Sequence, residues 1–423
     1  MPSKPPISAT KIDRCRVCGN TDLVPCIDIG EQYLSSVFPT DLTYRVTAVR
    51  YPLELVMCRK KEDGSTCGLV QLGYRLDLTS MYDAYPYTSA TNSSMTKILQ
   101  DVADSGRALN HLQPEDVILD IGGNDGTLLT FFKNDGCRLL NIDPAQNVAY
   151  VIDAPNYTAA REFFNTDAFS AISQKKAKLI FSVAMFYHLD DPTKFARDVA
   201  ECLDDDGAWI IQMAYLPAML RTNMYDNIVH EHAGYYAAHH MKWLMEQGGL
   251  EVFDVMENDV YGGSFRTFVK KKGNTRFAPT ARYQKILQRE LSEGLFDPAT
   301  YQAFMRRVEK TRDDLCALLK KIKEDGKTVW IYGASTKGNT ILQYCGLGKD
   351  DIAAAADSNP FKVGKYIIGS DIPIKNEDEM RAAKPDFLLA LPYSFVDGFM
   401  KRETELLAQG TKFIVPLQEV KML

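Results

Sequence analysis

The chain has 423 residues, 25% of them charged and 45% apolar, which excludes a disordered or collagen-like protein and predicts two or three domains rather than one. A net charge of −6 and a pI near 5.7 give no basic footprint for nucleic acid. No apolar run reaches the roughly 18 residues of a membrane span, and the opening Met1-Pro2-Ser3-Lys4-Pro5-Pro6 lacks a signal-peptide centre, so a cytoplasmic protein with no membrane partner is expected.

Residues 1–10 read as a loose tail, and residues 11–75 as short strand-like runs broken by Gly, Pro and charge. Five of the nine cysteines fall between residues 15 and 67. Cytosolic thiols are normally reduced, so this clustering suggests a metal rather than disulfides. Cys15-x2-Cys18 is a chelating pair whose spacer lets both sulfurs reach one tetrahedral ion. Cys58 and Cys67 are its natural partners, with the polar stretch between them looping out, and Cys26 is left as a small buried residue. Four thiolates would close the coordination of a zinc ion and make it structural.

Residues 76–110 carry many Tyr and Ser and then a helical pattern from about Met95 to Leu109. From Val117 the pattern becomes that of a doubly wound α/β sheet, with short apolar strands expected at Val117–Ile121, near Leu139–Asp143, near Leu179–Val183 and near Ala208–Gln212. The first strand runs into a glycine turn, Asp120-Ile121-Gly122-Gly123-Asn124-Asp125-Gly126. It lacks the G-x-G-x-x-G spacing of dinucleotide sites and places carboxylates where a pyrophosphate would be repelled. A cationic ligand such as S-adenosylmethionine would tolerate Asp120 and Asp125. Asp143, ending the second strand, can accept both hydroxyls of a ribose.

Four of the six histidines lie close together at His230, His232, His239 and His240. The run His230-Glu231-His232 is not H-E-x-x-H. As a strand it would put both histidines on one face, and as a tight loop all three side chains could converge, either on a metal or for acid–base work. His239 and His240 precede a helical pattern and are expected to cap it or face solvent. Tyr261-Gly262-Gly263-Ser264-Phe265-Arg266 reads as a glycine hairpin that a sugar or phosphate could approach. Residues 281–325 look helical and charged. A second α/β unit follows, in which Thr328–Tyr332 leads into Gly333-Ala334-Ser335-Thr336-Lys337-Gly338-Asn339, and Asp357 ends the next strand. No fixed-period repeat and no heptad seam is evident, so the oligomeric state stays open, a monomer included.

The glycine turn together with Ile142-Asp143-Pro144-Ala145-Gln146-Asn147-Val148-Ala149 resembles the class I methyltransferase core of the nucleotide-sugar C-methyltransferases. The likeness covers nearly the whole chain. The cysteine pair and Cys67-Gly68-Leu69-Val70-Gln71-Leu72 resemble that family's zinc-binding module, and Met81-Tyr82-Asp83-Ala84-Tyr85-Pro86-Tyr87 its lead-in to the methyltransferase domain. The Tyr332–Thr340 turn, Ala356–Pro360 and Leu391–Phe395 resemble its C-terminal Rossmann-like domain.

The resemblance implies a zinc-binding module at 1–75, a methyltransferase domain at 76–275 and a C-terminal Rossmann-like domain at 276–423. It implies S-adenosylmethionine held by Asp120, Gly122, Gly123, Asn124, Gly126, Asp143 and Pro144, and zinc held by Cys15, Cys18, Cys58 and Cys67. The implied reaction adds methyl to the carbon beside a ketone of a nucleotide-diphosphate deoxysugar. His232 would be base, with Glu231, His230, Tyr85 and Tyr87 around it. Tyr261, Gly263, Ser264, Arg266, Ser335, Lys337, Asn339 and Asp357 would bind the substrate. Val229 stands where many members of that family carry tyrosine. The competing readings are an O- or N-methyltransferase of another small molecule and a non-catalytic nucleotide-sugar binder.

Overall fold

The computed structural model describes residues 7–423 apart from residues 80, 81, 83, 84, 86 and 92, so Met81, Asp83, Ala84 and Pro86 of the aromatic segment, like most of the N-terminal tail, lie outside the described residues. Four sheets organise the described residues.

The central sheet has seven strands. In spatial order they are Leu250–Asn258, Ser264–Lys271, Leu203–Ala214, Ala177–Val183, Val117–Ile121, Arg138–Ile142 and Tyr157–Ala160. The five from Leu203–Ala214 to Tyr157–Ala160 are parallel, and Ser264–Lys271 inserts antiparallel beside Leu203–Ala214. All five residues of Val117–Ile121 are buried, as a strand covered on both faces requires. Counted along the chain the order is 3-2-1-4-5-7-6. The order reverses between Val117–Ile121 and Ala177–Val183, and the crevice beyond their carboxyl ends is where such sheets bind ligands. The helix opened by the glycine turn is a single turn, Thr127–Thr130.

The C-terminal sheet has a parallel centre of Ile372–Lys375, Ala354–Ala356, Val329–Tyr332, Phe387–Ala390 and Lys412–Val415, edged by two antiparallel pairs. The helical stretch before it is two helices, Ala281–Ser292 and Pro298–Glu324, since Gly294 at φ +74° breaks them and Asp297 caps the second through Ala299 N.

The N-terminal module is an antiparallel sheet of Leu23–Gln32, Tyr51–Cys58 and Val70–Leu72. Its fourth strand, Gly234–Tyr235, comes from the methyltransferase region. That strand follows the histidine run directly, so the small module holds the His230–His232 loop in place. A long arm of the same module reaches the C-terminal domain. There Gln343 Oε1 accepts Tyr33 N at 2.8 Å, and Tyr44 and Arg45 bond Asp371.

Candidate active site

The four cysteine sulfurs of Cys15, Cys18, Cys58 and Cys67 all lie within 4.8 Å of one another. Adjacent sulfurs are 3.4 Å (Cys15–Cys67), 3.5 Å (Cys18–Cys58) and 3.6 Å (Cys18–Cys67) apart. A tetrahedron of Zn–S bonds near 2.3 Å has edges of about 3.8 Å, so this cage fits zinc closely. Asn20 Nδ2 and Leu69 N point at the sulfurs of Cys58 and Cys67, the outer hydrogen bonds that thiolate ligands use. Cys26 is half-buried outside the cage and donates to Leu55 O.

Beyond the carboxyl ends of the central strands lies a cavity of about 860 Å³, sized for a cofactor and a small-molecule substrate together. Asp120, Gly122, Gly123, Asn124, Asp143 and Pro144 all line it. Gly122 takes a positive φ of 70°, while at Gly123 a side chain is excluded because a Cβ would sit 2.6 Å from Asp120 Oδ2 and from Asn141 Oδ1. Asp143 Oδ2 accepts Asn124 N at 2.9 Å and Oδ1 accepts Ala145 N at 2.8 Å, which sets the carboxylate at the mouth of the turn. Burial, with Asp143 and Asp125 nearby, pushes the Asp120 carboxyl up to about 8. A buried acid lining a cavity with no hydrogen bond from the described residues suits a cationic ligand, and the turn therefore fits S-adenosylmethionine.

Two members of the turn serve the fold instead. Gly126, at φ +83°, packs against Ile152 and Tyr157 away from the cavity. The Asp125 carboxylate is taken up by Ala90 N at 2.8 Å and by Thr127 N and Oγ1. Asn124 has a further task, since its side chain accepts Ser89 N and donates to Tyr87 O, fastening the aromatic segment over the cavity. There Tyr85 stacks on Tyr82 with ring centroids 5.6 Å apart, and Tyr85 and Tyr87 both line the wall with phenols held above their ordinary range by burial.

The His230-Glu231-His232 run is a turn, not a strand, and all three side chains reach the same cavity. His232 Nδ1 is 2.8 Å from Asn227 O. A carbonyl only accepts, so Nδ1 carries the proton and Nε2 keeps its lone pair. Burial, His188 and Lys337 hold this imidazole well below its usual range and therefore neutral. Tyr187 and His188 pack against it, with centroids 4.2 and 5.5 Å away. Burial raises Glu231, while Ser36 bonds its carboxyl group. His230 Nε2 bonds Tyr51 O at 3.0 Å, a tie to the zinc module.

The expected substrate residues divide. Tyr261, at φ +53°, and Lys337 line the cavity, and the Lys337 ammonium lies 5.4 Å from the Tyr261 ring centroid. Gly263 does not, and a Cβ there would sit 2.6 Å from Ala218 Cβ, so its missing side chain makes room for protein rather than ligand. Ser264 is buried with its hydroxyl on Val260 O, and Arg266 is spent on Asp101, Ser105 and Gln212. Ser335 caps its helix through Gly338 N at 3.0 Å, Asn339 is buried against Ser35 O, and Asp357 binds Ala334 N and Lys362. His239 and His240 support the helix Ala238–Gln247. His239 bonds the buried Glu290, and His240 accepts Ala237 N as a capping residue but is buried rather than exposed.

His188, Tyr187, Ser36 and Asn227 are site residues that the sequence reading did not find. His188 was within reach, because it lies five residues past the end of a strand flanking the switch point, where side chains enter the crevice.

The strand order and the acidic glycine turn define a class I, S-adenosylmethionine-dependent methyltransferase carrying a structural zinc module. Three family profiles match in order: "Putative zinc binding domain" over residues 15–82, "Methyltransferase domain" over 93–255 and "C-methyltransferase C-terminal domain" over 259–418. The chain is 30% identical to C-methyltransferase NovU of Streptomyces niveus over 414 residues, 97% of each chain. Among solved structures, a chain of the complex between the Haloferax volcanii Trm112 methyltransferase activator and a methyltransferase covers 43% of this chain and 93% of its own, at 13% identity and TM-score 0.35. An S-adenosylmethionine-dependent methyltransferase from Clostridium acetobutylicum covers 42% of this chain and 92% of its own, at 14% identity and TM-score 0.33. The protein belongs to the C-methyltransferase family and catalyses S-adenosylmethionine-dependent C-methylation. Among the described residues no helix is long and apolar enough to cross a membrane.

Proposed function

We propose that the enzyme methylates the carbon next to a ketone in a nucleotide-diphosphate-linked deoxysugar, through an enolate. The observation that carries this reading is that His232, neutral and with a free Nε2 lone pair, opens into the same cavity as the Asp120–Asp143 turn. When bound, S-adenosylmethionine supplies an electrophilic methyl carbon on a sulfonium centre. Asp120 and Asp143 hold its cationic and ribose portions. A hydrogen beside a ketone is acidic enough for a neutral imidazole to remove when the resulting oxyanion is met by donors. His232 Nε2 takes that proton, Asn227 O keeps the ring in register, and the enolate is the carbon nucleophile that C-methylation requires. Glu231 and Ser36 stand beside the base, and His230, Tyr85, Tyr87 and Tyr261 wall the pocket from water. In this reading residues 76–275 hold the donor, residues 276–423 close the substrate side and residues 1–75 brace the histidine loop.

The test offers nucleoside-diphosphate keto-deoxysugars to the zinc-loaded enzyme in deuterated water, with the methyl donor or with S-adenosylhomocysteine. Deuterium entering the carbon beside the ketone, and methyl appearing on that carbon, are the expected results. Methyl on oxygen or nitrogen without deuterium entry would replace this reading with an O- or N-methyltransferase. No methylation of any of these sugars would remove the substrate class.

A further inference from the structure

Of the second glycine turn, Thr336 and Lys337 line the methyltransferase cavity. Lys337 is the second residue of the helix Thr336–Cys345 of the C-terminal domain, yet its ammonium donates to Asn227 Oδ1. Asn227 O is the acceptor of His232 Nδ1, so a single asparagine links the cation and the imidazole. Among the described residues Lys337 Nζ has no other hydrogen bond and no carboxylate at ion-pair distance. Two of its three N–H donors remain for a ligand. The acid whose charge acts on it, Asp226, is buried with its carboxyl pushed up by desolvation and bonded by Tyr393, so it is a weak counter-ion.

An unpaired buried cation suits either a bound phosphate or a developing oxyanion. The turn that carries Lys337 is only partly open as a phosphate cradle. Ala334 N is taken by Asp357, Ser335 N by Gly333 O and Gly338 N by Ser335 Oγ. Gly333 is covered by Pro392, whose Cγ would be 2.5 Å from an added Cβ. Phosphate sites of this type rely on several open amides at the helix start, and here only those of Thr336 and Lys337 have no acceptor among the described residues. The Lys337 ammonium itself is drawn away from those amides, onto Asn227 and so toward His232.

Resting on the enolate reading above, we infer that Lys337 is a catalytic residue supplied by the C-terminal domain: its ammonium binds the substrate ketone oxygen and carries the negative charge that forms there as His232 removes the neighbouring proton. The proton goes to His232 Nε2, the electron pair of the broken C–H bond forms the carbon–carbon double bond of the enolate, and the π pair of the breaking C=O bond moves onto the oxygen held by Lys337. Donor and base then act on adjacent atoms, and the Asn227 bridge fixes their separation.

The test measures deuterium entry in the presence of S-adenosylhomocysteine, using a nucleotide keto-sugar that the wild type turns over. Lys337→Met and Lys337→Gln are compared with wild type. Loss of an oxyanion donor costs about 10²–10³-fold, and that fall is expected in both variants, with the sugar nucleotide binding within about threefold of wild type. Lys337→Gln retains a donor for Asn227, so recovery in this variant would reduce Lys337 to a structural tie and overturn the inference. Tenfold weaker binding with normal exchange at saturation would make it a phosphate anchor, again overturning it. If Lys337→Met does not fold, Lys337→Gln decides alone. Exchange absent from the wild type condemns the enolate reading itself, whereas exchange normal in both variants condemns only the role of Lys337.

Discussion

His232 gives its Nδ1 proton to the backbone carbonyl of Asn227 at 2.8 Å, and this one bond determines which nitrogen of the ring can act as a base. A backbone acceptor cannot be removed by a side-chain substitution, so the tautomer is built into the loop. The ring is also desolvated and faces His188 and the Lys337 cation, all of which oppose protonation.

Replacing His232 with alanine is expected to lower kcat by about 10²–10⁴-fold, the usual cost of a lost general base. Affinity for S-adenosylmethionine, set by the Asp120–Asp143 turn, should stay within about threefold. The same geometry gives the sign of a pH effect. The folded pKa of His232 lies below 6.5, so the base stays deprotonated and active as pH falls through 6.5. The acid limb of the kcat/KM profile for the sugar, taken with S-adenosylmethionine saturating at every pH, therefore belongs below pH 6.5, and a limb centred higher would place the base elsewhere.

Asp120 titrates in the opposite sense. Its carboxyl is raised to about 8, so at pH 7 it is mostly protonated in the empty site. A cation binding beside it favours the carboxylate and releases the proton. Calorimetry at pH 7 in buffers of different ionisation enthalpy should show close to one proton leaving as S-adenosylmethionine binds. The apparent association constant should rise up to about tenfold per pH unit below pH 8 and flatten above it. Asp120→Asn should remove both effects, and proton release that persists in this variant would assign it to another group.

Much of this arrangement was legible in the sequence, for physical reasons that also mark where legibility ends. Val117–Ile121 is apolar at four of its five positions because a central parallel strand is covered on both sides, and such a run is visible without coordinates. Cys15 and Cys18 declare themselves by chelate spacing. Arg266, Ser335, Asn339 and Asp357 looked like ligand residues because polar groups at strand ends and helix starts suit ligands and caps equally well, and in this fold they are bonded internally. The approach of Lys337 to Asn227 spans 110 residues and two sheets, and no local pattern encodes it.

Gly123 carries a steric prediction. A Cβ there would lie 2.6 Å from both Asp120 Oδ2 and Asn141 Oδ1, and Asn141 is itself fixed by a bond to Asn124 O. Gly123→Ala must displace the acid or the turn. Overpacking of this kind costs about 1–3 kcal/mol, which a thermal unfolding scan would register. Methyl-donor affinity should fall more than tenfold, the factor that about 1.4 kcal/mol represents. A variant with wild-type donor affinity would show that the turn can shift freely.

The zinc centre makes the last prediction, because metal and base are joined by backbone. Cys58 ends one strand of the small sheet and Cys67 lies three residues before the next, Val70–Leu72. That second strand pairs with Gly234–Tyr235, and Leu72 N donates to Ala233 O at 3.0 Å, one residue from His232. Cys67→Ser should therefore lose the bound zinc, lower the melting temperature and speed amide exchange at Leu72. It should also reduce kcat at least tenfold, while donor affinity changes no more than about threefold. The last two effects separate because Asp120 and Asp143 sit on a different sheet whose strands make no ladder with the zinc module. Metal analysis of the wild type should return one zinc per chain. A zinc-free, folded protein with unchanged amide exchange at Leu72 and undiminished kcat would show that the histidine loop holds its geometry without the metal.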